Sequence, residues 1–142
     1  MFAKSITILS VLAACGGFLN AQEPPPPPPG GGLAPPPGFS VTLTKATGGQ
    51  KKISSNGTYV CPDTHEVIAA VLILNRVDGG ADPTPPVITS NANGTWTVTD
   101  AAVAAGTYDV YARFTFRKKN PQVGDIAFDV GSNVELNVVV SP

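Results

Sequence analysis

One histidine, one tryptophan and two cysteines are all that this chain of 142 residues holds of the side chains that most often build metal centres, aromatic platforms and covalent staples. Cys15 lies in an N-terminal leader, so Cys61 has no intramolecular partner and a disulfide framework is excluded; Cys61 reads as a small buried hydrophobe. A metal needs three or four converging ligands, and Asp63-Thr-His65-Glu66 offers only one local trio, better read as a solvated strand entry. No serine or cysteine sits in a nucleophile motif, and a single histidine leaves little choice of base, so neither an enzyme nor a cofactor is expected. Charge is scarce too. With 13% charged residues, a formal net charge of −1 and no broad Lys/Arg stripe, the chain has nothing to neutralise a run of phosphates, and nucleic acid is not an expected partner. The longest apolar run, Ile6 to Ala14, stops at Gly16-Gly17, well short of the roughly 20 residues that span a bilayer.

What the chain does have is proline, 15 in all, crowded near the N-terminus, followed by a stretch of ordinary globular composition. Residues 1–21 have the layout of an export signal, with Lys4, the apolar run and small residues where a peptidase would cut. Two cleavage sites compete. Leu12-Ala-Ala-Cys15 resembles a bacterial lipobox, which would lipidate Cys15 and make that lipid the only route to a membrane; Leu19-Asn-Ala21 resembles an ordinary signal-peptidase site, which would release a product beginning at Gln22. Residues 22–37 hold six prolines, three glycines, Leu33-Ala34 and three more prolines, a composition that favours polyproline II and reads as a spacer about 40 Å long.

Residues 38–142 read as one all-β domain of about seven to nine short strands in two packed antiparallel sheets, since period-2 alternation and turn signals recur throughout and no helical pattern is present. The clearest strand, Thr107 to Arg117, puts Tyr108, Val110, Ala112, Phe114 and Phe116 on one face and Asp109, Tyr111, Arg113, Thr115 and Arg117 on the other. Asn56-Gly57 and Asn93-Gly94 both read as turns. Asp78 and Asp82, spaced across Gly79-Gly80, read as turn residues rather than calcium ligands. In the last strand Val134, Leu136, Val138 and Val140 are expected inward, with Asn133, Glu135 and Asn137 outward. The strand Val67 to Leu74 is apolar on both faces: the reading assigns Val67, Ala69, Val71 and Ile73 to the core and leaves Ile68, Ala70, Leu72 and Leu74 facing outward, to be covered by a partner, a second copy or the arm, unless a register break turns them inward.

Asn93-Gly-Thr-Trp-Thr-Val98 followed by Ala105-Gly-Thr-Tyr-Asp-Val-Tyr-Ala112 resembles the second half of the bacterial immunoglobulin-like modules of large surface adhesins. Ala104-x-Gly106-x-Tyr108-x-Val110 is similar to the tyrosine corner of immunoglobulin domains, with Val110 where the second cysteine usually stands. The acidic residue expected at position 104 is absent, and Trp96 does not lie where the antibody-type tryptophan would, so a disulfide-bearing immunoglobulin domain is excluded. The resemblance implies an immunoglobulin-like antiparallel sandwich acting in adhesion or binding at the cell surface, the envelope or outside the cell.

The expected interaction surface comprises Ile68, Leu72 and Leu74, together with Tyr111 and a cationic patch of Arg113, Arg117, Lys118 and Lys119, and the expected partner is a protein or glycan at the cell surface. The alternative is a structural subunit of a secreted or surface assembly, self-associating through the Val67 to Leu74 strand or through sheet edges. Processing is decided by intact mass with membrane fractionation of the natively exported protein: a mass beginning at an acylated Cys15 establishes an anchored lipoprotein, and one beginning at Gln22 a released product.

Overall fold

The computed structural model describes residues 34–142, so the signal segment, Cys15 and the arm through residue 33 lie outside the described residues. Eight strands follow in order: β1 (Ser40–Gly49), β2 (Lys52–Val60), β3 (His65–Arg76), β4 (Thr89–Ser90), β5 (Thr95–Ala102), β6 (Gly106–Lys118), β7 (Phe128–Gly131) and β8 (Glu135–Val140). Among the described residues there is no helix. All pairings between strands within the sheets are antiparallel. One sheet runs β1-β2-β5-β4; the other runs β3-β6-β7, with β8 also paired to β6.

The core lies between the two sheets. β6 supplies Tyr108, Val110, Ala112, Phe114 and Phe116, all fully buried, as its alternation predicts. The opposite sheet contributes Val41, Leu43, Ile53, Trp96 and Val98. Trp96 is fully buried on β5, and its Nε1 donates to the carbonyls of Thr42 (3.1 Å) and Thr58 (3.3 Å), which satisfies the one polar atom of the ring. The two buried serines are also paired, Ser55 donating to the carbonyl of Lys45 while Ser132 accepts from the amide of Ala112.

Three elements depart from the sequence reading. Asn56-Gly57 is not a turn. β2 runs through it unbroken, and Gly57 stands directly opposite Trp96 because a Cβ there would collide with the Thr42 carbonyl and lie 2.6 Å from the indole ring. Asn93-Gly94 is the turn expected, with Gly94 at φ +81 and its amide donating to the carbonyl of Asn91. β5 extends three residues beyond Thr99 by opposing Thr99 and Asp100 to the single residue Ser54, a bulge that holds Asp100 at φ +47.

The third departure is in β8. The register breaks between Tyr108 and Val110, so Leu136 and Asn137 together oppose Asp109, and Asn137 takes φ +57 with its amide on an Asp109 oxygen. Val138 and Val140 are buried as expected, but Leu136 is 62% exposed, and Glu135 turns to accept from the amide of Ala46.

Gly57→Ala is expected to cost about 1–3 kcal/mol, the usual range for overpacking a filled core. Chemical denaturation should show a lower midpoint at an unchanged slope, and a variant of wild-type stability would remove Trp96 from the place assigned to it.

Candidate functional site

The two sheets present chemically different outer faces. On the first, β1, β2 and β5 display Thr42, Thr47, Ser54, Asn56, Thr58, Thr97 and Thr99, a hydroxyl-rich set typical of a solvated sheet, together with Lys45, the exposed ion pair of Lys52 with Asp100, and Val60 at one end. The second face is apolar at its centre, and how it becomes so lies in β3.

On β3, Val67 pairs with Phe116 and the next pair is Ala69 with Thr115, leaving Ile68 as an extra residue. Cross-strand partners share a face, so the phase of the strand reverses there. Ala70, Leu72 and Leu74 pair with Phe114, Ala112 and Val110 and enter the core, where Leu72 is 0% exposed. Ala69, Val71 and Ile73 pair with Thr115, Arg113 and Tyr111 and point outward. This corrects the expected surface: Leu72 and Leu74 are core residues, Ile68 is exposed but stands alone in the bulge, and the outward stripe belongs to Val71 and Ile73. Tyr111 does face outward, and its ring lies over Gly131, where a side chain would approach it.

Val87 widens the stripe. The segment after the loop Pro83-Thr-Pro-Pro86 lies along the outer edge of β3, with the Leu72 amide donating to Pro86 and the Ile88 amide to Ala70, both near 2.9 Å. Val87 is bridged to Val71, so it stands on the same outer face, and it is 78% exposed while Ile88 beside it is buried. The same loop and the edge of β5 border a shallow cleft of about 480 Å³ lined by threonine, proline, alanine and valine without a charged side chain.

The expected cationic patch is neutralised. Arg117 pairs with Glu66 at 2.6 Å, Lys118 with Asp125 at 2.7 Å, and Arg113 approaches Asp129 at 4.0 Å. Of the four cations, only Lys119 has no carboxylate partner among the described residues. His65 packs edge-on to Phe39 at 4.9 Å between centroids, and its Nδ1 lies 2.8 Å from the Thr64 hydroxyl. Among the described residues no group of three potential metal ligands converges. Cys61 is half-buried against the core, and burial pushes its thiol up from its ordinary pKa.

Arg76 is a residue that motif reading passes over. Its guanidinium lies 5.8 Å from the Tyr108 ring centroid, donates to the carboxylate of Asp78 and reaches the Ala105 carbonyl at 2.8 Å. Asp78 also accepts from the Thr107 amide, and Asp82 from the amide of Arg76, so both carboxylates serve the turn, as read from the sequence. Together these contacts lock the connection from β5 to β6, where the Tyr108 hydroxyl donates to the carbonyl of Ala104 at 2.8 Å. In the sequence Arg76 carries no signal beyond sharing the parity of Glu66, ten residues away, and the bulge places the two on opposite faces.

Hydrogen bonding to Arg76 holds the Asp78 carboxyl below its ordinary pKa, and the amides of Thr107 and Gly80 lower it further. A carboxyl depressed in the folded state stabilises the fold above its unfolded pKa, and that stability is lost as pH falls through the folded value. Asp78→Asn should therefore melt below wild type at neutral pH, with the gap closing as the pH drops below about 4. A gap that stays constant down to pH 2 would show that the Asp78 charge contributes nothing.

No family model, no curated protein and no solved structure matches this chain, so its outer faces are the ground on which a functional reading rests.

Proposed function

We propose that this chain is an exported, non-enzymatic interaction module of the cell surface or envelope, an immunoglobulin-like sandwich on a proline-rich arm that binds a protein partner with the outer face of its β3-β6 sheet. The observation that carries the reading is the asymmetry of the two faces. One is hydroxyl-rich and solvated, whereas the other aligns Val87, Val71, Ile73 and Tyr111 in an apolar patch bordered by Arg113 and Asp129. An apolar centre with a charged rim is how a protein-binding patch differs from ordinary surface, and the single tyrosine on it is too little for a glycan platform.

The immunoglobulin-like part of the reading is supported by strand order. Four strands in the order β1-β2-β5-β4 facing β3-β6 and the last strands correspond to the constant-type arrangement, and the hydroxyl of Tyr108 on the carbonyl of Ala104 corresponds to the tyrosine-corner contact. Export rests on the leader and the arm, and the aromatic packing of Phe39 on Phe128 and His65 fixes the first residues of the domain just before β1.

A photoreactive residue placed at Ile73, in protein made by its own host, should form cross-linked adducts, and the same residue at Thr97 on the hydroxyl face should form few. Equal labelling from both positions, or none from position 73, would overturn the reading.

A further inference from the structure

We infer that the partner of this face is a second copy of the chain, packed face to face about a two-fold axis that passes over Tyr111 at right angles to β6. The inference rests on the interaction-module reading and on the order of charges along β6. Its outward residues are Thr107, Asp109, Tyr111, Arg113 and Thr115, a series in which two threonines stand equally far from Tyr111 and a carboxylate on one side of it answers a guanidinium on the other.

A two-fold axis lying in the interface at Tyr111 places each position of β6 opposite the position equally far from Tyr111 on the second copy. Tyr111 then meets Tyr111, and the threonines meet each other. Arg113 of each copy meets Asp109 of the other, so the two new ion pairs form together. Ile73, directly across from Tyr111 on β3, lies on the same axis and meets its own equivalent. A regular strand advances about 3.4 Å per residue, so each charged pair sits about 7 Å from the axis, within reach of a guanidinium despite the usual ~30° rotation between packed sheets.

Both charges are available. The contact from Arg113 to Asp129 is long, at 4.0 Å through Nε, and leaves the two terminal nitrogens of the guanidinium for another acceptor. Asp109 uses Oδ1 for the amide of Asn137 and has its second oxygen uncommitted among the described residues. Nine residues of β6, with a strand on each side and the Val87 segment at the edge, cover about 30 Å by about 19 Å, so two copies would bury about 1,100 Å², at the low end of specific interfaces. The pairing is therefore expected to be reversible and concentration-dependent in the micromolar range.

The mature full-length chain should show a monomer–dimer equilibrium in analytical ultracentrifugation. Arg113→Asp and Asp109→Arg should each weaken it at least tenfold, because each sets like charges against one another. The double variant D109R/R113D should dimerise again, and so should an equimolar mixture of the two single variants, in which every charge finds its opposite. Because Asp109 also holds the Asn137 amide, Asp109→Asn serves if the arginine variant does not fold: it keeps an acceptor oxygen, removes the charge and should still weaken the dimer. Ile73→Lys should give a folded monomer.

A wild type that stays monomeric, single variants that pair as well as wild type, or a mixture that does not recover would overturn the inference. The two readings fail separately: a monomer that still cross-links from position 73 overturns only the self-pairing, whereas a monomer without cross-links overturns the interaction module as well.

Discussion

The unpaired residue Ile68 sets which stripe of β3 enters the core, and both the packing and the composition of the outer face follow from it. Glu66 and Arg76 are ten residues apart and would share a face in a regular strand. Glu66 must face outward to meet Arg117, and Arg76 must turn toward Tyr108 and the Ala105 carbonyl at the inner corner. One extra residue between them resolves the conflict. Hydrophobic burial would hardly have chosen between the two phases: exchanging Ala70, Leu72 and Leu74 for Ala69, Val71 and Ile73 changes the buried carbon by one methylene, about 0.8 kcal/mol. Contacts at the two ends of the strand, each with a charged side chain, select the phase, and the apolar middle accepts either.

The rest of the sandwich is organised to leave faces free and edges occupied. Both main-chain groups of Leu43 on β1 are met by the side chain of Asn133, and the Ala46 amide by Glu135, so β1 is closed against the opposite sheet by side chains where no ladder runs. Further along, Lys51 and Gly49 exchange bonds with Ser141, and Gly48 has no side chain because the Val139 carbonyl occupies that space. The edge of β3 is covered by Pro86 to Ile88, and the edge of β5 beyond the two-residue β4 is broken by the bulge at Asp100. These are the usual defences against strand addition. At these two edges little main chain is left for a further strand, whereas the outer face of β3 and β6 is uncovered among the described residues.

Charge on that face is balanced rather than accumulated. Arg117 and Lys118 are committed to Glu66 and Asp125, which removes the cationic patch that four basic residues in seven positions suggest. Arg113 is held more loosely, and two carboxylates, Asp109 and Asp129, share its face. A surface that carries both signs around an apolar centre is suited to a partner with the same pattern reversed, which a two-fold-related copy supplies.

The sequence alone determined the class of fold, the strand β6 with its buried and outward residues, the Asn93-Gly94 turn, the role of Asp78 and Asp82, and the presence of a two-faced strand at Val67 to Leu74. Each is written in local alternation or turn chemistry, which needs no distant partner to be read. The tertiary structure alone decided which stripe of β3 is outside, that Gly57 serves Trp96 rather than a turn, that Leu136 is exposed while Glu135 turns inward, and that three of the four basic residues have carboxylate neighbours. The reason is common to all of them. A bulge adds one residue whose presence depends on the opposing strand, and a side chain's neighbour across a sheet is set by register, so neither can be read from residues adjacent in the chain.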